Sequence, residues 1–150
     1  MIAFTRESIA ACMVEAKALV EQHYHEIAHY PDIPLDPDWD TYLKAEHAGA
    51  VRAYFVRDDG TLRGYAIFFV RPNMHYKTSL QANQDILYID RSLRGTTPLR
   101  FIKWCDAQLK AEGCQVVYHH VKVAHDFGPI LKRMGYEAID TIWGKRLDKE

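Results

Sequence analysis

The run Leu87-Tyr88-Ile89-Asp90-Arg91-Ser92-Leu93-Arg94-Gly95-Thr96-Thr97-Pro98-Leu99 carries an apolar, strand-like segment through a tight loop into the start of a helix. A junction of this kind can hold an anion. Thr97 reads as an N-cap and Pro98 as a first-turn residue, while Gly95 permits a backbone conformation or a close approach that a side chain would bar. Unpaired amides at such a turn favour a diphosphate through direct hydrogen bonds and through the helix dipole, the dipole part being worth about 0.3–1 kcal/mol when exposed. The same pattern also makes an ordinary strand-to-helix turn.

Other residues offer proton or metal chemistry. His119 and His120 are adjacent in a strand-like region, so in a regular strand they face opposite ways and only one reaches a given site. An imidazole with an ordinary pKa near 6.5 can relay a proton at neutral pH. Glu21, His25 and His29 recur at four-residue steps on one helix face, and two histidines so spaced can share a metal. No third ligand is secured and no zinc signature is present, so a polar helix face or pocket wall is expected and no metal site is assigned. Asp32, Asp36, Asp38, Asp40 and Glu46 gather around Pro31, Pro34 and Pro37. Their negative potential favours a cation, although the same carboxylates also cap helices and solvate loops. Tyr30, Trp39 and Tyr42 add an apolar or cation-binding wall, or simply a buried one.

The elements that position these groups follow from periodicity. A short strand at Ile2 to Phe4 precedes Ile9, Met13, Ala16, Val20, Tyr24 and Ile27, whose three- and four-residue steps predict one long amphipathic helix. The prolines end it, and a short second helix starts at Asp38 or Asp40, runs through Tyr42, Leu43 and Ala45, and stops near Gly49. Val51 to Arg57 and Leu62 to Val70 flank Asp58-Asp59-Gly60 and predict a hairpin. Asp85 to Ile89 reads as a central strand covered on both faces. Leu99, Ile102, Cys105 and Leu109 mark a helix ending at Gly113, and Val116 to Val121 a strand, which together predict a βαβ unit with a parallel pair. A short helix from about Asp126 to Met134 and a last strand within Tyr136 to Leu147, with Gly144 at a bend or bulge, complete the chain.

With 150 residues and no linker or repeat, the chain reads as a single domain over residues 1–150. A formal charge of -1, from 19 basic and 20 acidic side chains, gives no global pull toward nucleic acid or an anionic membrane. The N-terminus lacks a secretion-signal pattern, and no window reaches the roughly 20 apolar residues of a membrane span. Three widely spaced cysteines, Cys12, Cys105 and Cys114, suit reduced core positions in a cytoplasmic setting.

The element order, together with Leu87-Tyr88-Ile89, Arg94-Gly95 and Met134-Gly135-Tyr136, resembles the GCN5-related N-acetyltransferase (GNAT) superfamily over nearly the whole chain. The resemblance implies an α/β fold in which a mixed central β-sheet is flanked by helices. It further implies acetyl-CoA as cosubstrate, with Leu87 and Ile89 giving backbone contacts to the pantetheine arm and Arg94, Gly95, Thr96 and Thr97 forming the phosphate turn. His125 is a cofactor-side polar contact in the same reading. The chain departs from the family pattern at Thr97 and Leu99, where small residues are usual. It departs again at Leu131, where many members carry the tyrosine that protonates the departing thiolate, and near Ala124, where an asparagine is common.

Within that frame Asp85 is the carboxylate best placed to take a proton from an incoming ammonium, directly or through water, and His119 or His120 supplies a relay. The implied activity is acetyl transfer to a primary amine, cationic by the acidic loop, on a small molecule or a protein. A homodimer is compatible with this reading; nucleic acid and membrane partners are not expected. The alternative is a catalytically inactive acyl-CoA-binding or protein-interaction module with the same fold.

Overall fold

The computed structural model describes residues 1–149. Its elements run β1 (Ile2–Arg6), α1 (Ile9–Ile27), α2 (Trp39–His47), β2 (Val51–Asp58), β3 (Thr61–Pro72), β4 (Leu80–Ile89), α3 (Thr97–Ala111), β5 (Val116–Tyr118) and α4 (Gly128–Arg133), with short 3-10 turns at Arg91–Leu93 and Val123–His125. The five strands form one sheet in the order β1-β2-β3-β4-β5. The first four pair antiparallel and β5 lies parallel to β4. This is the mixed sheet flanked by helices that the resemblance implied.

Local chemistry explains the element ends. The Ser8 hydroxyl caps α1 by accepting from the Ala11 amide, and the Asp38 carboxylate caps α2 by accepting from the Thr41 amide. Asp59 and Gly60 both have positive φ, the requirement of the two-residue hairpin turn between β2 and β3. At Gly64 a Cβ would sit 2.7 Å from the Tyr88 carbonyl oxygen, so the close contact of β3 with β4 requires glycine there.

Two cores lie on opposite faces of the sheet. On one face Ile9, Cys12, Ala16 and Leu19 of α1 pack with Phe55, Tyr65, Ile67 and Tyr88 of the sheet, with α2 alongside; on the other Phe101, Cys105 and Leu109 of α3 pack with Tyr54, Phe68, Ala82 and Ile89. Cys12, Cys105 and Cys114 are free thiols. No helix among the described residues is long and apolar enough to cross a membrane.

Several expectations are corrected. β4 begins at Leu80, five residues before the expected start, because its first half pairs with Phe68 to Pro72 of a longer β3. β5 ends at Tyr118 rather than Val121, so strand alternation does not govern His119 and His120. Among the described residues no strand follows α4. The segment after Tyr136 exposes Ile139, Ile142 and Trp143, and side chains rather than a ladder hold its end: Arg146 and Lys149 both bond the Asp32 carboxylate, and the Arg146 guanidinium lies 5.5 Å from the Tyr30 ring centre.

Candidate active site

The parallel β4–β5 pairing spans only Gln81–Val116, Ala82–Val117 and Asn83–Tyr118. Beyond it β4 continues to Ile89 with no partner on that side. Which backbone groups face this open edge follows from the β3–β4 ladder. The Asp90 amide donates to the Arg63 carbonyl at 2.7 Å, so Tyr88 bonds toward β3 while Leu87 and Ile89 turn their N–H and C=O groups outward. The Ile89 carbonyl is taken by the Arg94 Nε at 2.9 Å, which leaves the Ile89 amide and both Leu87 groups available to an extended ligand.

A β-bulge sets this orientation. Ile67 pairs with Ile86 and Phe68 with Gln84, so Asp85 is the extra residue of β4. Before the bulge Ala82 and Gln84 project to the α3 face; after it Leu87 and Ile89 do. Asp85 and Ile86 both project to the α1–α2 face, where the exposed Asp85 carboxylate accepts a hydrogen bond from the Tyr42 hydroxyl. Burial, reinforced by Asp85, pushes the Tyr42 hydroxyl pKa up, so it stays a donor. Asp85 therefore lies in mid-strand at a bulge, not just ahead of the strand as expected.

The open edge runs into the turn before α3. There the N-cap is Thr96, not Thr97, and no side-chain oxygen caps the helix. Thr97 is the first helical residue and is buried, with Pro98 following. Among the described residues no protein acceptor meets the amides of Gly95, Thr96, Thr97 or Leu99, a set suited to an anion. Gly95 has no positive φ and a Cβ there would meet nothing within 4 Å, so the protein's own conformation does not demand glycine at this position. Its small size matters only to something that approaches from outside.

Arg94 is committed elsewhere. Its guanidinium bonds the Glu26 carboxylate of α1 at 2.5 and 2.9 Å and lies 5.3 Å from the Tyr88 ring centre. This pair, helped by Arg91 at 3.4 Å, holds Glu26 down at a pKa of about 2. The side chain expected to reach a phosphate thus ties the turn to α1.

The histidines are placed apart from Asp85. His119 Nδ1 donates to Gln84 Oε1 at 2.7 Å on the α3 face, among the edges of Phe68, Phe127 and Tyr136. Burial, with His120 adding to it, lowers its pKa to about 4, and its Nε2 is buried without a partner. A neutral ring in that setting has no proton to spare for a leaving group. His120 is exposed, and so is His125, which ends the 3-10 turn before α4. The structure puts Asp85 and His119 on opposite faces of the sheet. Leu131, at the position where the resemblance implies a tyrosine, is buried.

On the Asp85 face lies a cavity of about 720 Å³ between α1, the proline-rich loop, α2 and the sheet. His23 lines it and was missed in the sequence: its Nδ1 is hydrogen-bonded to the Tyr65 hydroxyl at 2.7 Å, its ring stacks on Tyr88 at 4.7 Å, and burial lowers its pKa to about 4. Within the acidic group, three carboxylates have structural duties. Asp32 binds Arg146 and Lys149, Asp38 caps α2, and Glu46 accepts from the Ile9 amide at 3.0 Å. Glu21, His25 and His29 are exposed, and no grouping of metal-ligating side chains occurs among the described residues.

No family model matches this chain, and no curated protein matches it. Solved structures do match its fold. A ribosomal-protein-alanine N-acetyltransferase from Brucella melitensis biovar Abortus 2308 superposes with a TM-score of 0.70 at 16% identity, covering 100% of this chain and 99% of that one. The aminoglycoside acetyltransferase meta-AAC0020 from an uncultured soil metagenomic sample gives 0.75 at 13% identity, covering 98% and 97%. A predicted acetyltransferase with acetyl-CoA from Clostridium acetobutylicum gives 0.70 at 13% identity with the same coverage. Likeness at these identities shows the fold, a GNAT-like α/β architecture over the full chain.

Proposed function

We propose that this protein transfers an acetyl group from acetyl-CoA to a primary amine. The observation that carries the reading is the open β4 edge itself: outward backbone groups at Leu87 and Ile89 lead into the unpaired amides of Gly95 to Leu99. An extended, amide-bearing chain ending in a diphosphate matches that series of donors and acceptors. The residues present fit the cosubstrate, with the turn amides holding the diphosphate and the Arg94 guanidinium serving the fold instead. That one crystallised relative in fold carries acetyl-CoA supports the same choice.

Acetyl-CoA supplies the activated thioester. The chain's own groups do the rest: Asp85 takes a proton from the acceptor ammonium, directly or through one water, so that the neutral amine attacks the thioester carbonyl carbon. The Ile89 amide is placed to stabilise the oxyanion that develops as the N–C bond forms; as the oxyanion collapses the C–S bond breaks, CoA leaves as the thiolate, and the acylated nitrogen gives its second proton to that thiolate through water. Tyr42 holds the Asp85 carboxylate in position. The acceptor is cationic before it reacts, and Asp36, Asp40 and Asp85 are the carboxylates left to attract it. We place the reaction in a reducing compartment such as the cytoplasm, in keeping with three free thiols.

The test is thiol release from acetyl-CoA in the presence of primary amines of differing chemistry. Amine-dependent release above the buffer control is the expected result. Tight acetyl-CoA binding without release for small amines, peptides or proteins would instead favour the binding-module reading, for which Leu131 in place of a tyrosine is the relevant observation.

A further inference from the structure

We infer that the acceptor is a small amphiphilic amine: a primary ammonium head on an aliphatic or aromatic body that fills the cavity beside Asp85. The inference rests on the acetyl-transfer reading and adds to it the substrate's chemical class. At about 720 Å³ the cavity lies within the roughly 300–1,000 Å³ typical of small-molecule sites. Its walls are apolar, with Val20 and Ile27 from α1, Ile33 and Leu35 from the loop, Trp39 from α2 and Phe69 from β3.

The polar groups of Tyr24, Tyr42, Tyr65 and His23 that reach this space are already satisfied, while His29, Asp36 and Lys122 also line it. The Tyr24 hydroxyl donates to the Ile33 carbonyl, the Tyr42 hydroxyl donates to Asp85, and the Tyr65 hydroxyl and His23 Nδ1 are bonded to each other. Beside those satisfied groups a sugar or other polyhydroxylated body would find few partners for its own hydroxyls and would forfeit part of their hydration. An apolar body gains from the same surface.

The head group is fixed by charge and position. Tyr42 and Ile86 belong to the cavity wall, and Asp85 adjoins both, bonded to one and next in sequence to the other. An ammonium drawn to that carboxylate sits at the β4 bulge, two residues before Leu87 on the open edge where the thioester is proposed to lie. The body then extends away from the edge beneath the proline-rich loop. Ile33 and Leu35, partly exposed and outside both packed cores, form the outer wall and set how long a body fits.

The experiment measures acetylation of straight-chain primary amines from propylamine to octylamine, with 2-phenylethylamine, ethanolamine and glucosamine alongside, at saturating acetyl-CoA. KM should fall roughly fourfold per added methylene, the fold-change equivalent of about 0.8 kcal/mol per buried CH2, with kcat nearly constant. In the double variant Ile33→Asn, Leu35→Asn, the ratio of KM for octylamine to KM for propylamine should rise at least tenfold at an unchanged melting temperature. A KM independent of chain length, or a preference for glucosamine or ethanolamine, overturns the inference and leaves acetyl transfer standing. Acetyl-CoA bound with none of these amines acetylated overturns the inference, and acetyl transfer itself falls only if peptide and protein acceptors also release no thiol.

Discussion

Tyr42 of α2 donates its hydroxyl hydrogen bond to Asp85, the extra residue of the β4 bulge, and so links the wall of the apolar cavity to the strand whose open edge faces β5. A carboxylate held this way has one oxygen occupied and the other free for an ammonium or a water. Asp85→Asn should lower the acetyl-transfer rate by about 10²–10⁴, the usual contribution of a positioned proton acceptor, with acetyl-CoA affinity unchanged. Tyr42→Phe should cost less, since the carboxylate remains but loses its tether. Steady-state kinetics beside acetyl-CoA calorimetry separates the two effects.

Gly64 and Gly95 should behave in opposite ways. Gly64→Ala drives a Cβ to 2.7 Å from the Tyr88 carbonyl and should destabilise the protein by about 1–3 kcal/mol, read in a denaturant titration. At Gly95 a Cβ would meet nothing within 4 Å and φ is not positive, so the melting temperature of Gly95→Val should change little. Any loss of acetyl-CoA affinity in that variant then reports on the ligand's approach and not on the fold.

His23 is buried and His119 half-buried, and both rings are neutral, with pKa values lowered by burial to about 4 against an ordinary 6.5. The unfolded chain therefore binds more protons than the folded one between those values. Stability should fall as pH drops from about 6.5 to about 4, each ring contributing up to about 1.4 kcal/mol per pH unit. Urea unfolding across that window checks this, and His23→Gln or His119→Asn should flatten the dependence.

Below that window a second loss should set in. Glu26 has its pKa lowered to about 2 by Arg94, from an ordinary 4.5, so the stability it contributes is fully present above pH 4.5 and is lost as pH falls toward 2. Glu26→Gln should be less stable at pH 7 and less sensitive to pH between 4.5 and 2. Thermal melts across that range read both effects.

The sequence carried the helices, the Asp59–Gly60 hairpin and the parallel βαβ unit because periodicity and turn chemistry are local. The run from Leu87 to Thr97 also stood out, since an apolar strand, Gly95 and Pro98 announce a strand-to-helix junction on their own. What it hid depends on pairing between distant segments. Nothing in Gln84-Asp85-Ile86 announces a bulge, because the extra residue exists only relative to β3, and with it went the placement of Asp85. The Arg94–Glu26 pair joins positions 68 residues apart, so the arginine looked like a phosphate ligand while its partner had no visible signal. His119 looked available for catalysis because its burial against Phe68 and Tyr136 is tertiary. The last strand failed for the reverse reason: Tyr136 to Leu147 has strand-like composition, but among the described residues no neighbour pairs with it.

The most direct test is calorimetric titration of acetyl-CoA into the protein and into Gly95→Val. One molecule should bind per chain, with clearly weaker binding to the variant at an unchanged melting temperature. No binding to the folded protein at millimolar acetyl-CoA, or equal binding to both proteins, would contradict the assignment of the β4 edge and the turn before α3 as the cosubstrate site.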